Sequence, residues 1–334
     1  MKPSISAVQN VIISRTDSIG DVILTLPLAK LIKQRYPHIK VAFLGKAYTR
    51  PVIACCAFVD EFIDADDFLN KPVTVCGQAA ESIIHVFPVK EIAQRAKALN
   101  IAWRVGTTNR LYHWSTCNKL VKLSRKNSDL HEAQLNARLL QPFGIDEVFL
   151  LDLLGEAIGL SNTVPLTPGF ASLIDHQKFN LILHPRSQGS AREWGLDNFA
   201  ALVKLLPQDK FKIFISGTSK ERESLDELFT LVGDLVTDIC GMMDLAQFIA
   251  FIKECDGLVA NSTGPLHIAA ALGKRAVGIY PPLRPMHPGR WQPLGPKATY
   301  LVKETACKDC RKNPAACHCM KDIRPEQVAA LLYS

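Results

Sequence analysis

Residues 257–280 read GLVANSTGPLHIAAALGKRAVGIY. Residues 257–260 are a short apolar run, and Asn261-Ser262-Thr263-Gly264-Pro265-Leu266-His267 a tight polar turn into an alanine-rich helix over 267–272. Residues 276–280 are a second apolar run. Two apolar runs bridged by one helix predict parallel strands with a right-handed crossover, because parallel strands are buried on both faces and cannot be joined by a tight turn. The alternation extends upstream. Residues 180–184 (NLILH) and 212–216 (KIFIS) read as strands, and 196–206 and 245–254 as helices. Earlier still, 8–14 (VQNVIIS), 41–44 and 82–87 read as strands. Residues 22–36, 91–99 and 132–143 read as helices, the last stopped by Gly144. Such a pattern predicts an α/β chain with two parallel sheets.

Between the halves, 161–172 (SNTVPLTPGFAS) carries two prolines and a glycine and reads as a linker. The expected domains are 1–165 and 166–334, which suits a chain of 334 residues. The final helix, 325–332, is expected to pack back on the first domain. Ligands of open parallel sheets bind at the carboxyl ends of the strands, so chemistry is sought in the loops that follow them.

An apolar fraction of 48% with 21% charged residues excludes a disordered or fibrous chain. The first residues, MKPSISAVQNVIIS, lack an apolar signal core, which points to the cytoplasm. The ten cysteines then sit in a reducing compartment, where a disulfide framework is a poor default. The net charge is +7, and residues 90–138, with ten basic and three acidic side chains, carry all of it. A local excess of this kind fits an anionic partner, and a solvated helix face explains it equally well. Stacking aromatics are sparse there (Trp103, Tyr112, Trp114), which disfavours single-stranded nucleic acid. No G-x-G-x-x-G follows a strand, so a dinucleotide oxidoreductase is disfavoured as well.

Three loops hold the candidate chemistry. Arg15-Thr16-Asp17-Ser18-Ile19-Gly20-Asp21 leads from the first strand to a helix. Gly20 permits close backbone approach there, and Asp21 suits either a helix N-terminal cap or a general base. His184-Pro185-Arg186-Ser187-Gln188-Gly189-Ser190-Ala191-Arg192-Glu193-Trp194 combines hydroxyls, a glycine and two arginines, the ingredients of an anion cradle, with Trp194 packing beneath it. In the third loop, Thr263 and Gly264 can present backbone N–H groups to phosphate oxygens, and His267 lies one turn into the helix. Residues 281–291 are too proline-rich for regular structure and read as a stiff loop over the same edge.

Together these loops resemble the heptosyltransferase family of glycosyltransferases (family 9). The likeness is carried by Asp17-Ser18-Ile19-Gly20-Asp21-Val22 with Thr25-Leu26-Pro27, by His184-Pro185 with Ala191-Arg192-Glu193-Trp194, and by Asn261 through Gly273. The resemblance implies a GT-B fold, two Rossmann-like parallel-sheet domains facing an interdomain cleft. It implies an inverting, metal-independent transfer of heptose from an ADP donor to the lipopolysaccharide inner core, at the cytoplasmic face of the inner membrane. By resemblance Asp21 is the base, and Arg192 stands where a phosphate-contacting lysine is usual. Glu221 lies near the ribose, Met243 beside the adenine, and Thr263, Gly264 and His267 at the diphosphate and sugar, with Ser187 in the donor loop. Ser262 replaces an acidic residue that often holds donor sugar hydroxyls, which allows another nucleotide sugar. The cations Arg15, Lys119, Lys122, Arg125 and Lys126 are the candidates for an anionic glycolipid acceptor. A GT-B nucleotide-sugar epimerase and a non-catalytic nucleotide-sugar or glycan binder are the alternatives. Finally, Cys307, Cys310, Cys317 and Cys319 lie close enough in sequence to permit a structural zinc, and free thiols fit the same pattern.

Overall fold

A computed structural model describes residues 7–187, 189, 191–304 and 318–333. The chain divides into two compact units, Met1–Asn162 and Thr163–Ser334, three residues before the expected boundary. The linker is fastened at both ends. Ser161 and Asn162 donate their backbone N–H groups to Cys55 O, while Thr163 Oγ1 accepts from Lys253 and the Thr167 N–H donates to Gln247 Oε1.

The first unit carries strands β1 (Asn10–Ser14), β2 (Lys40–Gly45), β3 (Glu61–Asp64), β4 (Thr74–Val75), β5 (Gln78–Ala79), β6 (Ser82–His85), β7 (Trp103–Thr107) and β8 (Lys119–Val121). Six of them form one parallel sheet in the order β3-β2-β1-β6-β7-β8, and β4 and β5 pair as a small hairpin. All five residues of β1 are buried, as expected of a central parallel strand covered on both faces. The order reverses between β1 and β6, so the loops after these two strands flank the switch point where such sheets bind ligands.

The second unit repeats the plan with β9 (Phe179–His184), β10 (Phe211–Ile215), β11 (Thr237–Asp238), β12 (Gly257–Asn261), β13 (Arg275–Tyr280) and β14 (Ala298–Val302). Their order is β11-β10-β9-β12-β13-β14, all parallel, with the switch point between β9 and β12. Trp194, Phe199, Leu202, Leu228 and Val259 lie at its core.

Four expectations change. The helix expected over 22–36 is two pieces, Ile19–Ile23 and Pro27–Arg35. Pro27 lacks an N–H and suits the first position of a new helix, so the chain restarts there. The helix over 132–143 tightens at Arg138 into a 3₁₀ turn holding Pro142, and it ends at Gly144 (φ +72), a left-handed stop that suits glycine. Within 281–291 the chain forms a 3₁₀ turn, Arg284–Met286, and a short helix, Pro288–Trp291. The last helix, Pro325–Tyr333, buries Val328, Ala329 and Leu332 in the second unit's own core, and the Leu332 carbonyl accepts from Arg275. The apolar face assigned to the first domain is therefore occupied within the second.

Candidate active site

In the first unit the site grows from the end of β1. Ser14 pairs with His85 across the switch point, and the next residue, Arg15, turns a buried guanidinium into a cluster of acids. Arg15 Nε donates to Asp17 Oδ1 at 2.7 Å, Nη1 to Glu132 Oε1 at 3.0 Å and Nη2 to Asp21 Oδ1. Its side chain is 4% exposed. Burial works against that charge, but Asp21, Asp17 and Glu132 outweigh it and hold the guanidinium above its ordinary value. Arg125 Nε reaches the same Glu132 oxygen at 3.0 Å, and Arg125 and Arg15 both donate to Asn136 Oδ1. Glu132 and Asn136 lie on the helix Glu132–Ala137, so this helix sets the position of Arg15, and Arg15 that of Asp21.

Asp21 is the third residue of the helix Ile19–Ile23, and the N-cap is Ser18. The Asp21 carboxylate accepts from Arg15 and from Ser18 Oγ. The backbone beneath is pinned by Thr25 Oγ1, which donates to Asp21 O at 2.8 Å and accepts from Asn136 Nδ2 at 3.1 Å. Asp17 feels burial most. Arg15 offsets this in part, Asp21 adds to it, and the Asp17 carboxyl is pushed up to about 6. The Tyr48 hydroxyl donates to Asp17 O at 2.6 Å.

In the second unit the loops after β9 and β12 are stitched together by Asn261. Its Oδ1 accepts from the Trp194 N–H at 2.9 Å and its Nδ2 donates to Pro185 O at 2.8 Å. Trp194 is fully buried, with its indole N–H on Ile323 O. Glu193 folds the β9 loop on itself: it pairs with Arg186 at 2.8 Å and accepts from Ser187 N and Oγ at 3.0 and 3.2 Å. Thr263 is the N-cap of the helix Gly264–Ala271 but does not cap it through its side chain. Thr263 Oγ1 is buried without a hydrogen-bond partner among the described residues. The amides of the helix's first turn have no intrahelical acceptors, so this end attracts anions. His267 is buried inside that first turn. Glu221 sits in a capping box after β10: its Oε2 accepts from Thr218 N at 2.7 Å, while its own N–H reaches Thr218 Oγ1. Met243 is half-buried in the loop after β11.

The sequence model of glycosyltransferase family 9 (heptosyltransferase) matches residues 162–321. A Haemophilus influenzae protein, named by class alone as a glycosyltransferase, is 26% identical over 303 residues, 86% of each chain. The lipopolysaccharide heptosyltransferase 2 of Salmonella typhimurium is 28% identical over 153 residues, 44% of this chain and 43% of that one. Among solved structures, the Escherichia coli ADP-heptose lipopolysaccharide heptosyltransferase II superposes over 98% of both chains with a TM-score of 0.75 at 19% identity. Residues 162–321, nearly all of the second unit, thus carry the family 9 pattern. The fold is GT-B, with two Rossmann-like parallel-sheet units, and the protein is a transferase.

In this transferase most of the candidate residues follow the carboxyl ends of the strands of their own unit's sheet. Asp21 and Arg15 meet in one network with Arg125. Lys119 instead lies over the Trp103 ring at 4.2 Å, and Lys122 and Lys126 stay exposed. In the second unit Ser187 and Arg192 lie on the loop after β9, Glu221 in the short helix after β10, and Thr263, Gly264 and His267 at the start of the helix after β12. Ser262 lies beside the buried Tyr280 phenol. That phenol donates its single proton to Trp291 O at 2.6 Å, so toward Ser262 it accepts. Cys307, Cys310 and Cys317 lie outside the described residues, whereas Cys319 is buried.

Several members of the networks escape a reading of the sequence. Asp17 lies inside the quoted motif, and its value emerges only from burial beside Asp21. Glu132 and Asn136 are distant in sequence and carry no motif, and Arg125, expected at the acceptor, is bound to both of them. His85, at the end of β6, is buried with neither ring nitrogen partnered among the described residues, 5.7 Å from the His113 ring centroid. Burial, then His113 and Arg104, push its pKa down to about 3. Its position at the end of a strand beside β1 was the one available signal.

Proposed function

We propose that this transferase moves a heptose, or a related sugar, from ADP-heptose or another nucleotide-sugar donor to an anionic glycolipid of the lipopolysaccharide core, with inversion and without a metal ion. The observation that carries this reading is Asp21, an acid at the switch point of the first sheet, held from two sides by Arg15 and Ser18. Such a carboxylate is fixed in orientation and suited to accept a proton. Asp21 takes the acceptor hydroxyl's proton as that oxygen attacks the anomeric carbon. The bond from that carbon to the diphosphate breaks, and its electron pair stays on the departing nucleotide. Arg192 and the first-turn amides at Gly264 stabilise the charge that develops, the role a divalent cation plays elsewhere.

The similarity to heptosyltransferases, one of them solved as an ADP-heptose enzyme, supports the donor class. The basic excess of residues 90–138 supports an anionic acceptor. No helix among the described residues is long and apolar enough to cross a membrane, so the reading places the enzyme peripherally, at the cytoplasmic face of the inner membrane. The test is a donor panel with mass-spectrometric detection of product, run with and without a chelator. Transfer from a nucleotide heptose that survives chelation is expected. Asp21→Ala should abolish transfer and leave ADP affinity nearly unchanged. An epimerised sugar with no acceptor product, or full transfer by Asp21→Ala, overturns the reading.

A further inference from the structure

The connection from β7 to β8 carries two of the most exposed apolar side chains in the first unit, Leu111 (89% exposed) and Trp114 (63%). Trp114 spends its only polar atom internally, its indole N–H donating to Thr108 O at 3.1 Å, so what it offers solvent is hydrocarbon. Residues 110–126 include five cations and no acid. Two of these are used inside the fold, Arg125 on Glu132 and Lys119 over Trp103. Arg110, Lys122 and Lys126 are exposed and make no ion pair with a described residue. Because all strands of the sheet are parallel, this connection leaves β7 at the same edge where Arg15 and Asp21 follow β1.

We propose that Leu111 and Trp114 insert into an anionic bilayer surface while Arg110, Lys122 and Lys126 lie against its headgroups, an anchor that brings the edge bearing Asp21 to lipid-borne acceptor. The proposal rests on the glycolipid-acceptor reading above. An exposed indole and leucine in one segment with exposed cations that form no ion pair with a described residue is the combination that interfaces select, with apolar burial and charge attraction adding. A protein partner would leave the cations unexplained unless it were acidic throughout.

The experiment is co-sedimentation of the full chain with vesicles of phosphatidylcholine, alone or mixed about two to one with phosphatidylglycerol. Binding to the mixed vesicles only, weakened by salt, is expected. Arg110→Gln/Lys122→Gln/Lys126→Gln should lose about fivefold per charge, on the order of a hundredfold in all. Leu111→Ser/Trp114→Ser should lose at least about tenfold while keeping the wild-type melting temperature, since both side chains are exposed. Brominated acyl chains should quench fluorescence in wild type and fail to do so in Trp114→Phe. Equal binding to both vesicle types, no binding at all, or undiminished binding by the two multiple variants overturns the anchor. So does a wild-type dimer that Leu111→Ser/Trp114→Ser dissolves, which would show that a second copy covers the patch. Transfer to a deacylated, water-soluble acceptor separates the two readings. Leu111→Ser/Trp114→Ser should retain that transfer, whereas its absence in wild type sinks the glycolipid reading and leaves vesicle binding as measured.

Discussion

Asp17→Asn should make the protein more stable at neutral pH and a poorer catalyst. The Asp17 carboxyl is pushed from 3.8 up to about 6, by burial first, with Arg15 opposing and Asp21 adding. A carboxyl raised in the folded state contributes stability that is fully present below 3.8 and is lost as the pH climbs through about 6. At about 1.4 kcal/mol per unit, the ionised form costs on the order of 3 kcal/mol, with the attraction to Arg15 already included. The side chain is 22% exposed, which trims the figure to about 2 kcal/mol. Asparagine copies the neutral form in shape and keeps an oxygen for Arg15 Nε. For a unit of this size, about 2 kcal/mol is about 4–8 °C in Tm. Calorimetry from pH 4 to pH 8 should show wild type and variant melting together at the acid end. The gap should open toward pH 6 and level off above it. A variant no more stable at pH 7.5, or equally stabilised at pH 4, refutes the reasoning. Turnover should fall, since the amide holds Arg15 less firmly than a carboxylate and Arg15 orients Asp21. A destabilising acid kept beside the candidate base is what a site under functional demand looks like.

Glu132→Gln removes the buried acid shared by Arg15 and Arg125, so a loss of about 2–4 kcal/mol in denaturant unfolding is expected, with turnover falling more than ADP affinity. His85 has its pKa lowered to about 3, so its stabilising contribution is present above 6.5 and is lost as the pH falls toward 3. Wild type should therefore lose up to about 1.4 kcal/mol per pH unit below 6.5 from this residue, and His85→Phe should flatten that limb of the stability curve. Ser262→Asp places an acceptor against a phenol oxygen whose proton is spent on Trp291 O, at a cost of about 1–3 kcal/mol. Adding Tyr280→Phe should recover most of it.

The parallel architecture was legible because apolar runs such as 180–184 and 276–280 are buried on both faces and alternate with helices. The strand-to-helix turns that bear Asp21 and Asn261 to His267 were legible because each is local, a few residues between a strand end and a helix start. Helix continuity across Thr25–Leu26 was misread. The pattern there is amphipathic throughout, and Pro27 fits a new first turn as well as it interrupts an old one. The final helix was misassigned because an apolar face announces that it will be buried without saying where. Glu132 and Asn136 could not be found at all, since their partner Arg15 lies over a hundred residues away and only the fold brings them together.

Position 262 shows how such non-local pairing limits carry-over from a family pattern. Read along the chain, Ser262 is a lost carboxylate, and the loss bears on the donor sugar. Read in the fold, it faces a buried phenol that already donates to Trp291 O and can only accept in the other direction. A serine hydroxyl satisfies that demand and a carboxylate does not. The identity of residue 262 is thus bound to Tyr280 and Trp291, and a donor preference inferred from this position must be weighed together with those two residues.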